Sequence, residues 1–281
     1  MPKRRLVQKL HPAFRDDIQD LVTRRPLPGP HLPHLDPFLF LNHHGPQTYP
    51  PGNTGLPFGP HPHRGFATVT FIVKGSLSHE DSGGHASVIE AGGVQWMSAG
   101  RGLTHAELSP ASFREQGGPL EILQLWVNLP ARLKLSEPRY EGFSTIPEIE
   151  LAGGGGKLRL LAGTWGNTEG PLKPPVPLTL AEIHLEPGGS LTLSTEAAQN
   201  ILLYTVGGGA EVNGVPAPEF HLVEFSRADG DVELRSAGGA RLLFGKAIPY
   251  GEPIVSYGPF VMNSEDEIRR AIRDYQDGKF G

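Results

Sequence analysis

The 281 residues predict an all-β fold of two barrels in tandem with a short C-terminal helix, on three observations. Glycine (37) and proline (28) are abundant and scattered. Helix interiors tolerate neither, so many tight turns must separate short extended runs. Those runs are rich in Val, Ile, Thr and aromatics and recur at roughly 8–12-residue spacing, the rhythm of a sandwich or barrel. The same rhythm appears twice: a turn glycine after an apolar strand, a hairpin, then another apolar strand.

The elements follow in order. Residues 1–35 are mixed and punctuated by Pro26, Pro28 and Pro30, which predicts an extended arm. The basic Lys3-Arg4-Arg5 within it reads as a solvated terminal cluster. Residues 35–41 read as a strand entering a polar loop over 42–60. Residues 66–73 have the β-branched and aromatic content of a buried strand, turned by Gly75. Further short strands are predicted over 77–80, 86–89, 95–97 and 122–129, with Gly83-Gly84 and Gly92-Gly93 at turns. Residues 131–156 read as a linker ending in Gly153 to Gly156. Strands over 178–185, 191–194, 201–206, 221–225 and 241–244 make the second half. These bounds give barrels over residues 1–145 and 157–281. At the end, Ser264 and Glu267 form a capping box, and Ile268, Ala271, Ile272 and Tyr275 follow at helical spacing until Gly278.

Composition narrows the function. A net charge of −5 and a pI near 6.2 give no reason to expect nucleic-acid binding. With no cysteine, thiolate catalysis and Cys-ligated metals are excluded, so any metal ligands must be N and O donors. No run of 18 apolar residues and no hydrophobic signal core occur, so neither membrane insertion nor secretion is implied, and a cytoplasmic protein is expected.

The chemistry is suggested by two pairs. His61 and His63, and His105 and Glu107, are each two residues apart. Alternate residues of a strand share a face, so two such strands can converge three imidazoles and a carboxylate on one point. One His-x-His pair is weak evidence, expected by chance about 0.5 times in this composition. The ensemble is stronger, because seven of the 12 His lie between His43 and His105. Such a set suits one divalent transition metal and leaves positions open for exogenous ligands. In the second half, Leu193 and Thr195 stand where His61 and His63 do in the first, so the metal site is expected in the first barrel only.

Several longer motifs resemble one family. These are His61-Pro62-His63-Arg64-Gly65-Phe66, His79-Glu80-Asp81-Ser82, Gln95-Trp96-Met97-Ser98-Ala99-Gly100-Arg101-Gly102, His105-Ala106-Glu107, and Tyr257-Gly258-Pro259-Phe260-Val261-Met262-Asn263. Together they are similar to the pirins, which are bicupins with a metal in the N-terminal cupin barrel. The resemblance implies that His61, His63, His105 and Glu107 are the ligands and that the metal is iron, with Mn, Ni, Co, Cu or Zn as alternatives. It also implies quercetin 2,3-dioxygenase activity on a flavonol or similar aromatic enol, with O2 as co-substrate. The alternative it implies is a non-catalytic regulatory protein that binds a transcription factor or metabolic enzyme. One stretch departs from the family pattern: residues 42–46 stand where many pirins have an acidic and an aromatic residue.

The remaining expectations concern the surroundings. Glu107 is a candidate base for a substrate hydroxyl. If the strand is regular from His61 onward, Gly65, Ala67, Val69 and Phe71 share the inward face and line an apolar substrate pocket. His43 and His44 are expected at the pocket mouth, and His79 and His85 as surface residues of a Gly-rich hairpin. Trp96 is expected in the core, and His11, His31, His34, His184 and His221 as structural.

Overall fold

The computed structural model describes residues 3–280 and is built almost entirely of antiparallel strands, with one long helix at the C-terminal end. The chain divides into two compact units. One comprises Met1–Phe14, Arg25–Pro37 and Ile146–Pro249, and the other Arg15–Arg24, Phe38–Thr145 and Tyr250–Gly281. The ends are thus exchanged relative to linear bounds at 1–145 and 157–281. The tail from Tyr250 belongs with the first barrel, and the N-terminal arm, apart from Arg15–Arg24, with the second.

The first barrel has two sheets. A four-stranded sheet runs in the order Phe58–His63, Leu103–Leu108, Ser76–Asp81 and Ala86–Glu90. A larger sheet contains, side by side, Arg139–Phe143, Val94–Ser98, Phe66–Lys74, Gly118–Asn128 and Phe38–Tyr49. One end of the interior is filled by apolar side chains, among them Ile72, Leu77, Ile89, Leu120 and Ile122. Trp96 is in the core, 1% exposed.

Between Phe58–His63 and Phe66–Lys74 the chain passes from one sheet to the other at Arg64-Gly65. Gly65 has φ +87°, and a Cβ there would lie 2.0 Å from the Val261 carbonyl oxygen, so only glycine fits. The buried Lys134 ammonium ties this corner, donating to the carbonyls of Gly65 (2.9 Å) and Val261 (3.0 Å) and to Asn128 Oδ1 (2.7 Å). Those three acceptors match its three donors, which is how a lysine is held away from water. Arg64 is buried too. It donates to the Arg101 carbonyl (2.5 Å) and to Asp274 (2.8 Å), with its guanidinium 4.5 Å from the Phe280 ring centroid.

Three local expectations change. The strand Phe38–Tyr49 continues through residues 42–46, which were expected as loop. Its polar side chains are tolerated because Asn42, His43 and His44 are paired with Gln124, Leu123 and Ile122 of the next strand, and His43 meets Glu121 (3.2 Å). Arg139–Phe143, inside the expected linker, adds to the sheet edge beside Val94–Ser98. Arg5 is 1% exposed rather than solvated. It donates to the carbonyls of Ser226, Glu196 and Gln199 and to Thr195.

The second unit has a seven-stranded sheet in the order Val7–Pro12, His221–Phe225, Asn200–Gly208, Ala240–Ala247, Leu178–Leu185, Gly156–Ala162 and Glu148–Glu150. A four-stranded sheet of Ser190–Leu193, Val232–Arg235, Ala210–Val212 and Val215–Ala217 accompanies it. Leu158, Ile183, Leu193, Leu203, Val223, Leu242 and Phe244 are part of its core. The arm is therefore a sheet strand over Val7–Pro12, with Leu10 opposite Val223.

The helix Glu265–Gln276 starts where the capping box places it, with the Ser264 side chain accepting from the Glu267 N–H. Its stripe packs Ile268 and Ala271 with Phe260, Met262 and Phe280, while Tyr275 is 40% exposed. No helix among the described residues is long and apolar enough to cross a membrane. Deleting the residues after Met262 should lower the melting temperature of the full-length protein, since each large side chain buried there contributes about 1.5–3 kcal/mol. Thermal denaturation checks this, and an unchanged midpoint would show that the helix stabilises nothing.

Candidate metal centre

Strands Phe58–His63 and Leu103–Leu108 are paired so that His61 stands opposite His105 and His63 opposite Leu103. A bulge between His105 and Glu107 shifts the register, and on its other side the strand places Glu107 opposite His79. The ring centroids of His61, His63 and His105 lie 4.4–4.9 Å apart. One potential ligand atom from each of these three lies within 4.8 Å of the others, and the same holds for His79, His105 and Glu107. His105 is common to both groups.

Burial keeps the His63 and His105 imidazoles neutral. His63 is pushed down to about 3, first by loss of hydration and then by His61, against a weaker pull from the Pro259 carbonyl. His105 is driven further down by burial and by His63, His61 and His79. Neutral rings present lone pairs, which is what a metal needs. The Nδ1 atoms of His61 and His63 face the carbonyls of Gly59 (2.8 Å) and Pro259 (3.4 Å), leaving each Nε2 available. Both ring nitrogens of His105 are buried with no hydrogen-bond partner. A buried polar atom without a partner is costly, and a cation between the rings removes that cost. The donor set fits a divalent transition metal.

Glu107 is 1% exposed and held by three donors. Gln95 Nε2 (2.5 Å) and Thr70 Oγ1 (3.2 Å) donate to its Oε1, and Gln124 Nε2 (2.6 Å) to its Oε2. Gln95 Oε1 in turn accepts from the Tyr140 hydroxyl, and Gln124 Oε1 from Trp126 Nε1 (3.2 and 3.3 Å). Beside His63 stands an aromatic stack in which Trp126 lies 4.3 Å from Phe66 and 4.5 Å from Phe40. His63 itself meets Phe66 at 4.9 Å and Trp126 at 5.4 Å. Phe40, Phe58, His61, Gln124 and Trp126 are half-buried, whereas His63, His105 and Glu107 are buried. Exposure therefore rises toward the aromatic side.

The expected pocket wall is corrected. Thr70 points at Glu107, so its strand neighbours Val69 and Phe71, and with them Ala67, face the opposite side of the sheet. The sheet change at Arg64-Gly65 breaks the alternation that a regular strand from His61 would have kept. Phe66, Thr68 and Thr70 share the inward face in their place. His43 and His44 are buried rather than at a mouth, 0% and 2% exposed, with His44 Nδ1 2.9 Å from Thr23 Oγ1. His79 is also fully buried, not a hairpin surface residue, while His85 is exposed. Gln95, Gln124, Thr70, Tyr140 and the aromatic stack were not anticipated. Their signal was polar residues inside apolar runs, as at Thr70 and Gln124, since a buried polar side chain needs a specific partner.

The Pirin family model matches residues 20–127, and the model of the Pirin C-terminal cupin domain matches residues 180–281. The chain belongs to the pirin family. A Pseudomonas aeruginosa pirin relative named "Putative quercetin 2,3-dioxygenase" is 38% identical over 249 residues, 88% of this chain and 87% of its own length. A pirin-like protein of Solanum lycopersicum is 36% identical over 284 residues, 99% of this chain and 93% of that one. The crystal structure of a quercetin 2,3-dioxygenase from Acinetobacter baumannii is similar with a TM-score of 0.93 and 32% identity, covering 99% of each chain. The two barrels are cupins in tandem, as in other pirins. The likeness and the His/Glu cluster point to a divalent metal.

A pH dependence follows from His63. Unfolded, it takes up a proton near 6.5, and folded only near 3. The unfolded state therefore binds more protons between these values, so stability falls as pH drops from about 6.5 toward 3 and gains nothing from this residue above 6.5. Metal-free protein should show a falling denaturation midpoint over that window. His63→Gln should flatten the fall in urea titrations, and equal slopes for the two proteins would contradict the assignment.

Proposed function

We propose that this pirin is a metal-dependent dioxygenase of the quercetin 2,3-dioxygenase type, acting on a flavonol or similar aromatic enol with O2. His61, His63, His105 and Glu107 would hold one divalent metal, iron foremost. The observation that carries the reading is His105, buried and shared by both ligand groups with both ring nitrogens unpartnered, next to a His63 that packs on a wall of stacked aromatics. The names of the Pseudomonas and Acinetobacter relatives support it.

When bound, such a metal supplies Lewis acidity and one-electron chemistry. The protein's own contribution can be derived. Half-buried Trp126 and Phe40, stacked with the buried Phe66, form an apolar surface that suits a flat aromatic ring and excludes water from the buried imidazoles. Glu107 Oε1 already accepts two hydrogen bonds, whereas Oε2 accepts one, so Oε2 has the spare lone pair. It is the atom placed to take a substrate hydroxyl proton or to face the metal. The amides of Gln95 and Gln124 fix the carboxylate plane and stop it from rotating during that transfer.

Two experiments test this. Metal analysis should find one tightly held ion per chain, lost on His63→Ala, and two ions per chain would overturn the single site. Iron-loaded protein should consume oxygen when given quercetin or a related flavonol. Glu107→Gln should lower turnover far more than metal content, because it removes the acceptor and turns an amide N–H toward one of the three donors. No uptake with any flavonol, together with a metal-dependent affinity for a protein partner, would replace this reading with the regulatory one.

A further inference from the structure

The ring nitrogens around the cluster can be accounted for one by one. The Nδ1 atoms of His61 and His63 face carbonyl oxygens, which only accept, so both carry their hydrogen on Nδ1. His79 Nε2 lies 3.0 Å from Asp81 Oδ2, and Asp81 also accepts from the His85 backbone N–H (3.1 Å) and lies 3.1 Å from the His85 ring. Asp81 is thus an acceptor, and His79 must carry its hydrogen on Nε2. His79 Nδ1 is then a bare lone pair, buried and without a partner. Three ring nitrogens remain orphaned: His79 Nδ1, His105 Nδ1 and His105 Nε2.

We infer that Asp81 and His79 are positioning residues for His105: a turn of the His105 ring that brings its Nδ1–H onto His79 Nδ1 also presents His105 Nε2 to the metal. This rests on the reading of His105 as a ligand. The two Nδ1 atoms are not hydrogen-bonded as they stand, and this turn would leave none of the three orphaned, because the metal takes one nitrogen and the other two meet. The two rings are neighbours, with centroids 5.4 Å apart and a nitrogen of each within 4.8 Å. His79 is held for the task. Its ring stacks on Tyr140 at 4.3 Å and 18°, and the Tyr140 hydroxyl is bonded to Ser87 and Gln95. Gln95 continues to Glu107. One chain of contacts therefore sets both His105 and Glu107. A partner behind a ligating histidine fixes its tautomer and raises its basicity, and losing it costs about 10–100-fold in metal affinity. The second group, His79 with His105 and Glu107, is on this reading the back of one site.

Nitrogen-15 NMR of the histidine rings, with and without Zn(II), tests the assignment directly. His79 should carry its hydrogen on Nε2 in both states, and His105 on Nδ1 when Zn(II) is bound. Zn(II) competition titrations should show His79→Leu weakened by about 10–100-fold. His79→Asn, which restores an acceptor oxygen near the position of Nδ1, should recover most of that loss. Melting curves of the metal-free variants separate misfolding from lost affinity. A His79 hydrogen on Nδ1, a His79 nitrogen shifted into the range of a Zn(II)-bound imidazole, or His79→Leu binding within about twofold of the unaltered protein would overturn the proposal. Failure of the unaltered protein to bind any metal would instead overturn the ligand reading beneath it, and this inference with it.

Discussion

The corner at Arg64-Gly65 is the constraint on which the candidate metal centre depends. There the backbone leaves one sheet for the other and presses against the Val261 carbonyl, where no side chain has room. The Lys134 ammonium, enclosed by oxygens of Gly65, Asn128 and Val261, makes the crossing affordable by leaving no donor unmet. Moving this corner by one residue would turn Thr70 outward and Val69 inward, stripping Glu107 of one donor and placing a methyl group against its oxygen. The same corner carries His63 on one side and Phe66 on the other, so the imidazole and the aromatic wall keep a fixed relation.

The interior is organised in layers of different polarity. Ile72, Ile122 and their neighbours fill one end, the amides and hydroxyls around Glu107 come next, and the imidazoles and aromatics follow. The polar groups around Glu107 are tolerated because Gln95, Gln124 and Thr70 satisfy its carboxylate, whereas the His105 nitrogens and His79 Nδ1 are among the buried atoms left without a partner. Unmet groups in so dry a place are where a ligand gains most, since it replaces nothing.

Much of this was legible in the sequence and some was not, for separate physical reasons. Strands such as Leu178–Leu185 and His221–Phe225 are local patterns, and the His61/His63 and His105/Glu107 pairs are local period-two patterns, so they could be read directly. The wrong face assigned to Ala67, Val69 and Phe71 came from carrying that period across Gly65, where tertiary contact with Val261 resets it. His43, His44 and residues 42–46 looked like loop because their partners, Glu121 and Thr23, are far off in sequence. His79 was misjudged for the same cause: a hairpin's glycines signal a turn, but not which of its residues points into a barrel.

The exchange of chain ends has a consequence during synthesis. The carbonyl that orients His63 belongs to Pro259, 196 residues further along. At ribosomal rates of about 5–20 residues per second, the first barrel waits roughly 10–40 s for that oxygen to be made. The candidate ligands all leave the ribosome before the tail that supplies this oxygen, so in that interval the His63 ring is free to turn.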